Sequence, residues 1–112
     1  MLKRVKSISI AGALLLSYNV SAEVTLCDRL ATHPDDPNGN TAGLETAEMD
    51  LAAGEVACRA AVANDSRRAR SQYHLGRVLY YSGKVEESLQ HLTVAADAGY
   101  PQAIFVRGYI TA

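Results

Sequence analysis

Apolar and polar residues follow one another at helical spacing along most of this chain. Leu75 and Leu79 lie four residues apart and Leu89 and Leu92 lie three apart, so each pair falls on one face of a helix. Runs of turn-forming residues separate the periodic stretches, and the residues that favour strands do not alternate with polar ones. The pattern therefore predicts an all-α protein.

The breaks in this pattern divide the chain into five predicted helices. A loop rich in proline, aspartate and asparagine spans residues 32–40, and Ser66 is a suitable N-cap. Gly83 suits a left-handed C-cap, Gly99 ends the next helix, and Pro101 suits a first helical turn. We expect helices at about residues 24–31, 43–63, 67–82 and 84–98, and a fifth that starts near Pro101.

A repeat underlies the second half of the chain. Residues 71–76 align with residues 103–108 at an offset of 32, with small residues matched at 71 and 103 and rings matched at 73 and 105. Repeats of this length are typical of stacked helix pairs. We therefore expect antiparallel helical hairpins stacked as a short α-solenoid, an architecture that usually holds partners.

Small residues recur where the helices of such a stack should touch. Gly76 and Gly108 would let a neighbouring helix approach closely, and Ala95 and Ala96 would do the same from the facing helix. The predicted repeat-packing positions are Leu75, Gly76, Leu79, Gly83, Leu89, Leu92, Ala95, Ala96, Gly99, Ala103 and Gly108.

These positions also resemble a known family. The chain resembles one Sel1-like repeat, a relative of the tetratricopeptide repeat, at Leu75-Gly76, Tyr80, Gly83, Leu89, Ala95-Ala96, Gly99 and Ala103, over about residues 69–108. Residues 60–65 resemble the end of a preceding, degenerate repeat. The segment around Cys27 is similar to the front of exported bacterial Sel1-like proteins. The resemblance implies a helical segment at 23–64, followed at 65–112 by a Sel1-like repeat and the first helix of a second, incomplete one.

The incomplete second repeat leaves two interpretations open. Repeat arrays generally need about three units and a polar terminal cap, whereas the last predicted helix carries Phe105, Val106, Tyr109 and Ile110. The chain is then either a truncated, non-functional fragment of a longer array or a module that associates with itself through its C-terminal helix.

The first 22 residues have the pattern of a signal peptide. Lys3, Arg4 and Lys6 precede a short apolar run, and small residues lead up to Ala22 as a cleavage site. Cleavage would leave eight basic and twelve acidic residues, a net charge of −4. We therefore expect a periplasmic or secreted protein with no stable membrane insertion after cleavage, and the negative balance argues against nucleic acid as a partner.

The two cysteines, Cys27 and Cys58, both lie beyond the predicted signal peptide. An even number in an exported chain favours a disulfide. The competing interpretations are a metal site or a nucleophilic thiol, but no Cys-x-x-Cys or His-x-x-x-His pair accompanies them. We expect a disulfide, and neither a metal nor a cofactor.

The resemblance also implies a function, since relatives of this kind bind proteins or peptides. In the tetratricopeptide fold the first helix of each repeat lines a concave groove, and the matching positions here are Arg70, Tyr73, Arg77 and Tyr80. Two guanidiniums beside two phenol rings would suit a peptide carboxylate or an acidic side chain. The alternative is a solvated helix face whose tyrosines pack on the neighbouring repeat.

Other chemistry has weaker support in the sequence. The basic cluster Arg67, Arg68 and Arg70 is an anion site or, as we prefer, a solvated patch. The histidines are scattered, and only Ser71 and His74 offer a nucleophile beside a base. We expect no enzyme, with a cysteine-containing hydrolase relative as the alternative that the resemblance leaves open.

Overall fold

The structure is a computed structural model that describes residues 23–112, and the predicted signal peptide at 1–22 lies outside this range. Within the described range the chain is helical and contains no strand, so the all-α prediction is confirmed. The helices are α1 (Leu26–Ala31), α2 (Leu51–Asn64), α3 (Ala69–Tyr81), α4 (Val85–Asp97) and α5 (Pro101–Thr111), with a 3-10 turn at Thr46–Glu48 between α1 and α2. None of them has the length and apolar character that crossing a membrane would need.

Side-chain caps decide where the first two helices begin. The Asp28 N–H donates to Thr25 Oγ1 over 3.0 Å, and the Thr25 N–H donates back to Asp28 Oδ2 over 2.9 Å, which forms a capping box. Asp50 caps α2 by accepting from the Ala53 N–H over 3.0 Å. The predicted start of this helix near residue 43 is therefore wrong, because Gly43 turns the chain with a φ of +84°.

The later helices are joined by tight turns. Gly83 and Gly99 have φ values of +84° and +87°, so the predicted left-handed C-cap at Gly83 is confirmed. The N-cap predicted at Ser66 is wrong, since α3 starts at Ala69 and the Ser66 carbonyl accepts from Gln72 Nε2 over 2.8 Å.

Helix α3 is the centre of the fold. Every residue from 71 to 79 is buried, so α3 is covered on all sides, unlike an amphipathic surface helix. It contacts α1, α2 and α4, and α5 packs on α4.

Two apolar clusters use different faces of α3. The N-terminal core joins α1, α2 and α3 and consists of Cys27, Ala31, Cys58, Leu75, Val78 and Leu79. The C-terminal core joins α3, α4 and the start of α5 and consists of Tyr73, Leu92, Ala95, Ala96, Tyr100 and Ala103. Burial of both faces explains why α3 carries large apolar or aromatic side chains on opposite sides.

Gly76 and Gly108, which the predicted repeat aligns, differ in their surroundings. A Cβ at Gly76 would lie 2.7 Å from Leu92 Cγ and Cδ2, and the Gly76 carbonyl accepts from Ser88 Oγ over 2.6 Å. Helix α4 therefore packs directly on the α3 backbone, as expected. A Cβ at Gly108 would meet nothing within 4 Å, so the close approach expected there is not found. Nothing in residues 23–112 packs on that side of α5.

The predicted disulfide is confirmed, with Cys27 and Cys58 joined at 2.10 Å between their Sγ atoms. Both cysteines are buried in the N-terminal core. The bond fastens α1 to α2, and α1 in turn packs on α3.

Candidate functional site

A groove lies between α3 and α5, on the side of α3 that the loop after α1 also borders. It has a volume of about 240 Å³. Six of its ten lining residues are aromatic or histidine side chains and none is acidic. We term it the aromatic groove, and it is lined by His33, Tyr73, Arg77, Tyr80, Tyr81, Gln102, Phe105, Val106, Tyr109 and Ile110.

The aromatic groove contains three of the four residues predicted to bind a partner. Tyr73, Arg77 and Tyr80 line it, whereas Arg70 does not. Tyr73 and Arg77 are only 1% and 3% exposed, and Tyr80 is half-buried. Three of the four predicted positions therefore form one wall of the groove, and Arg70 lies outside it.

Arg77 is fixed by backbone carbonyls. Its Nη1 donates to the Ala31 carbonyl over 3.0 Å, and its Nη2 donates to the Leu44 carbonyl over 2.9 Å. The guanidinium carbon lies 5.9 Å from the centre of the Tyr81 ring, within the range of a cation–π contact. Burial lowers the pKa of Arg77, although an arginine remains charged in proteins at neutral pH.

Arg70 faces a different partner, the buried carboxylate of Asp28. Arg70 Nε lies 3.4 Å from Asp28 Oδ1, and Arg68 Nη2 lies 3.0 Å from Oδ2. His74 Nε2 approaches Oδ1 to 3.2 Å, and Asn40 Nδ2 donates to Oδ2 over 3.1 Å. The preferred interpretation of this arginine cluster as a solvated patch is therefore wrong for Arg68 and Arg70, which fasten α1 to α3.

Protonation in this Asp28 cluster follows from burial and hydrogen bonding. Burial alone would raise the pKa of Asp28, but hydrogen bonds from His74, the Thr25 N–H and Asn40 outweigh it and hold that pKa well below its usual range. Burial lowers the pKa of His74 more than the neighbouring Asp28 carboxylate raises it. The cluster therefore contains a charged aspartate and a neutral histidine at neutral pH.

The Asp28 cluster does not have the arrangement of a nucleophilic site. The same nitrogen of His74, Nε2, lies 3.2 Å from Asp28 Oδ1 and 3.3 Å from Thr32 Oγ1, whereas a catalytic relay uses both ring nitrogens. Thr32 Oγ1 donates to the Asp28 carbonyl over 2.6 Å, and all three side chains are fully buried. Ser71, the nucleophile that the sequence offered beside His74, is buried as well. Between residues 23 and 112, no three His, Cys, Asp or Glu side chains are grouped to hold a metal ion.

A second buried polar contact joins the loop after α1 to the start of α5. Tyr100 Oη donates to Asp36 Oδ2 over 2.7 Å, and the Tyr73 and Tyr100 rings stack with their centres 5.4 Å apart. Burial raises the pKa of both tyrosines. Asp36 sits in a turn-rich loop, so the sequence indicated only a turn-forming role for it.

The outer side of the groove is formed by α5, which carries exposed apolar side chains. Ile104, Phe105 and Tyr109 are 47%, 67% and 75% exposed. Phe105 and Tyr109 lie one turn apart and both line the groove, and exposed apolar patches of this kind usually mark an interaction site. The sequence pattern had already indicated the apolar character of this helix.

Comparison with known proteins adds no relative. No family model matches the chain, and neither the curated proteins nor the solved structures include one that matches it.

Proposed function

We propose that this chain is an exported helical-repeat module of the Sel1-like or tetratricopeptide type that holds a protein or peptide partner in the aromatic groove. The observation that supports it most is the convergence of Tyr73, Arg77 and Tyr80 with exposed α5 side chains on one groove. Concave sites lined by aromatic rings with a few polar groups are typical binding sites.

The proposed repeat architecture rests on the sequence resemblance and on the order of helix contacts. Helices α2 to α5 each pack on the next one along the chain, which is the neighbour-to-neighbour packing of repeat proteins. Export is supported by the apolar segment before residue 22 and by the buried disulfide, which is typical of oxidising compartments.

A peptide-display selection against the full chain, produced with its disulfide formed, tests the proposal. We expect selected peptides to bind in the micromolar range and to lose about tenfold or more in affinity when Tyr109 is replaced by alanine, because the ring supplies groove surface.

Val56→Ala is the matched control for this test. Val56 is 73% exposed, close to the 75% of Tyr109, but it lies on α2 and outside the groove. If the selected peptides bind both variants and the parent protein with equal affinity, the aromatic groove is not the binding site. Failure to select any peptide would remove the binding function itself.

Self-association through α5 is a second candidate, favoured by the exposure of Ile104, Phe105 and Tyr109. Sedimentation equilibrium of the full chain separates it from the first. A dimer that a Phe105→Glu substitution converts to a monomer would support self-association, and a monomer at all concentrations would exclude it.

A further inference from the structure

The loop after α1 covers one face of α3 and is attached to it through hydrogen bonds. Arg77 of α3 donates to the carbonyls of Ala31 and Leu44, over 3.0 and 2.9 Å. The Leu44 N–H in turn donates to the Thr32 carbonyl over 2.8 Å, which closes the loop on itself. We term residues 28–44 the cover segment, and hydrogen bonds from α3 side chains hold it in place.

The cover segment has two further attachments, to α2 and to the start of α5. Cys27, directly before it, is bonded to Cys58 of α2, and Asp36 within it accepts from Tyr100 Oη over 2.7 Å. The disulfide does not bind protons, and burial raises the pKa of Tyr100, so neither group changes its charge between pH 5 and 7. The attachment to α3 can therefore be lost while the disulfide still tethers the segment.

His74 of α3 is the titratable side chain against which the cover segment packs. It is fully buried, and its Nε2 lies 3.2 Å from Asp28 Oδ1 and 3.3 Å from Thr32 Oγ1. Its Nδ1 is buried and has no hydrogen-bond partner among residues 23–112. The neutral ring leaves this nitrogen as an acceptor, but the imidazolium is a donor at both nitrogens. Protonation therefore creates a buried N–H without an acceptor, which costs free energy.

The charges around His74 do not offset that cost. Asp28 is the one carboxylate of residues 23–112 at ion-pair distance from the ring, and it is already shared with Arg70 and a second arginine. In the same range, α2 and α4 form no ion pair with α3. The Tyr73 ring, 5.8 Å away, stays neutral because burial raises its pKa. Burial lowers the pKa of His74 more than Asp28 and Asp36 raise it, and Arg70 lowers it further.

Water can reach the protonated ring with the least loss of packing from the side of the cover segment. Apolar cores join α3 to α2 and to α4, whereas residues 32–44 belong to neither core. We infer that the cover segment is an acid-released lid, because protonation of His74 detaches it from α3 while the Cys27–Cys58 bond keeps it tethered to α2. The inference goes beyond the proposed function and does not depend on it. Release removes two carbonyls from Arg77 and so changes the wall of the aromatic groove.

Amide hydrogen exchange of the oxidised chain at pH 7 and pH 5 tests this inference. The Leu44 N–H reports release of the cover segment, and the N–H of the buried Leu92 in α4 reports opening of the rest of the fold. Both are expressed as protection factors, which are corrected for the intrinsic effect of pH on exchange. Each pH unit below 6.5 favours release by up to about tenfold, because the released histidine takes up the proton. We expect the Leu44 protection factor to fall at least about tenfold, and to be at least about tenfold below that of Leu92 at pH 5.

Variants of the three histidines show which ring is responsible. His74→Gln removes the titrating ring, so the Leu44 protection factor should change by less than about twofold between the two pH values. The double variant His33→Gln/His91→Gln leaves His74 as the one histidine of the chain and should keep the fall of the parent protein. If His74→Gln does not fold, the parent protein and this double variant still decide the question.

Each other outcome overturns the inference. A Leu44 protection factor that is the same at pH 7 and pH 5 would show that acid does not release the cover segment. A fall that persists in His74→Gln, or that is lost in the double variant, would assign the effect to another group. Equal protection of Leu44 and Leu92 at pH 5 would mean that acid unfolds the whole molecule rather than releasing the cover segment.

Discussion

The N-terminal and C-terminal cores share α3 but are completed in opposite ways. The N-terminal core is closed by a disulfide and by the Asp28 cluster, in which one buried carboxylate binds two arginines and a histidine. The C-terminal core is closed on its inner side by stacked tyrosines, but its outer helix leaves Phe105 and Tyr109 largely exposed. The first arrangement gives rigidity, and the second gives accessible apolar surface.

This difference assigns separate roles to the two halves. The segment before α2 cannot build a large apolar core from six helical residues, so covalent and ionic contacts hold it against α3. That segment then supplies the carbonyls of Ala31 and Leu44 that position Arg77 in the groove. The rigid half therefore shapes the wall of the groove, and the open half provides its apolar surface.

Loss of the disulfide should affect the molecule most. Replacing Cys27 and Cys58 by serine removes a cross-link that spans 31 residues, and the chain-entropy model gives a loss of about 3–4 kcal/mol in the free energy of unfolding. Urea unfolding of the oxidised protein and the double variant measures it. If both unfold at the same urea concentration, the N-terminal core does not depend on the bond.

Replacing Asp28 should have the next largest effect. Asp28→Asn leaves Arg68 and Arg70 without their counter-ion, and we expect a loss of about 2–3 kcal/mol, less than for a fully buried pair because both arginines are partly exposed. Asp35→Asn in the exposed part of the following loop is the control and should stay within about 0.5 kcal/mol of the parent. Similar losses for both variants would contradict the role of the Asp28 cluster.

Gly76 and Gly108 offer a pair of matched substitutions. Gly76→Ala places a methyl group against Leu92, which is fully buried and cannot move aside, so we expect a loss of about 1–2 kcal/mol. Gly108→Ala meets no atom within 4 Å and should gain up to about 1 kcal/mol from helix propensity. Thermal unfolding of the two variants provides the comparison, and an equal change in both would show that the α3–α4 contact is looser than described.

The dependence of stability on pH should distinguish the cores. His74 titrates in the folded protein below its ordinary value of 6.5, so the unfolded chain binds the proton first and stability falls as the pH drops below about 6.5. The low folded pKa of Asp28 extends this loss below its ordinary value of 3.8. In the C-terminal core, the raised pKa values of Tyr73 and Tyr100 keep both phenols neutral, so stability falls as the pH rises above 10.

Melting temperatures across pH test this assignment. Tyr100→Phe removes one titrating phenol from the C-terminal core. The melting temperature of this variant should therefore fall less steeply above pH 10 than that of the parent, and its fall at acid pH should be unchanged. A smaller fall in melting temperature at acid pH in this variant would contradict the separation of the two cores.

The helices with a regular hydrophobic spacing were the part of the fold that the sequence could predict. Helical spacing, the helix-ending Gly83 and the helix-starting Pro101 predicted α3, α4 and α5 within a few residues, because local hydrogen bonding sets those boundaries. The start of α2 was not predictable in this way, since Asp50 and the 3-10 turn before it displaced the helix by about two turns.

The site was predicted in part for a similar reason. Positions a turn apart on α3 identified Tyr73, Arg77 and Tyr80, which line one groove. The sequence could not show that α1 would cover α3, because the contacts of Asp28 with Arg68, Arg70 and His74 join residues at least 40 positions apart. Long-range polar pairing of this kind leaves no periodic signal.

Amide hydrogen exchange of the oxidised chain tests most directly whether α3 is the shared centre of two differently completed cores. The account predicts that the amides of residues 71–79 exchange most slowly, by at least about tenfold relative to α5. Exchange in α3 as fast as in α5 would contradict it.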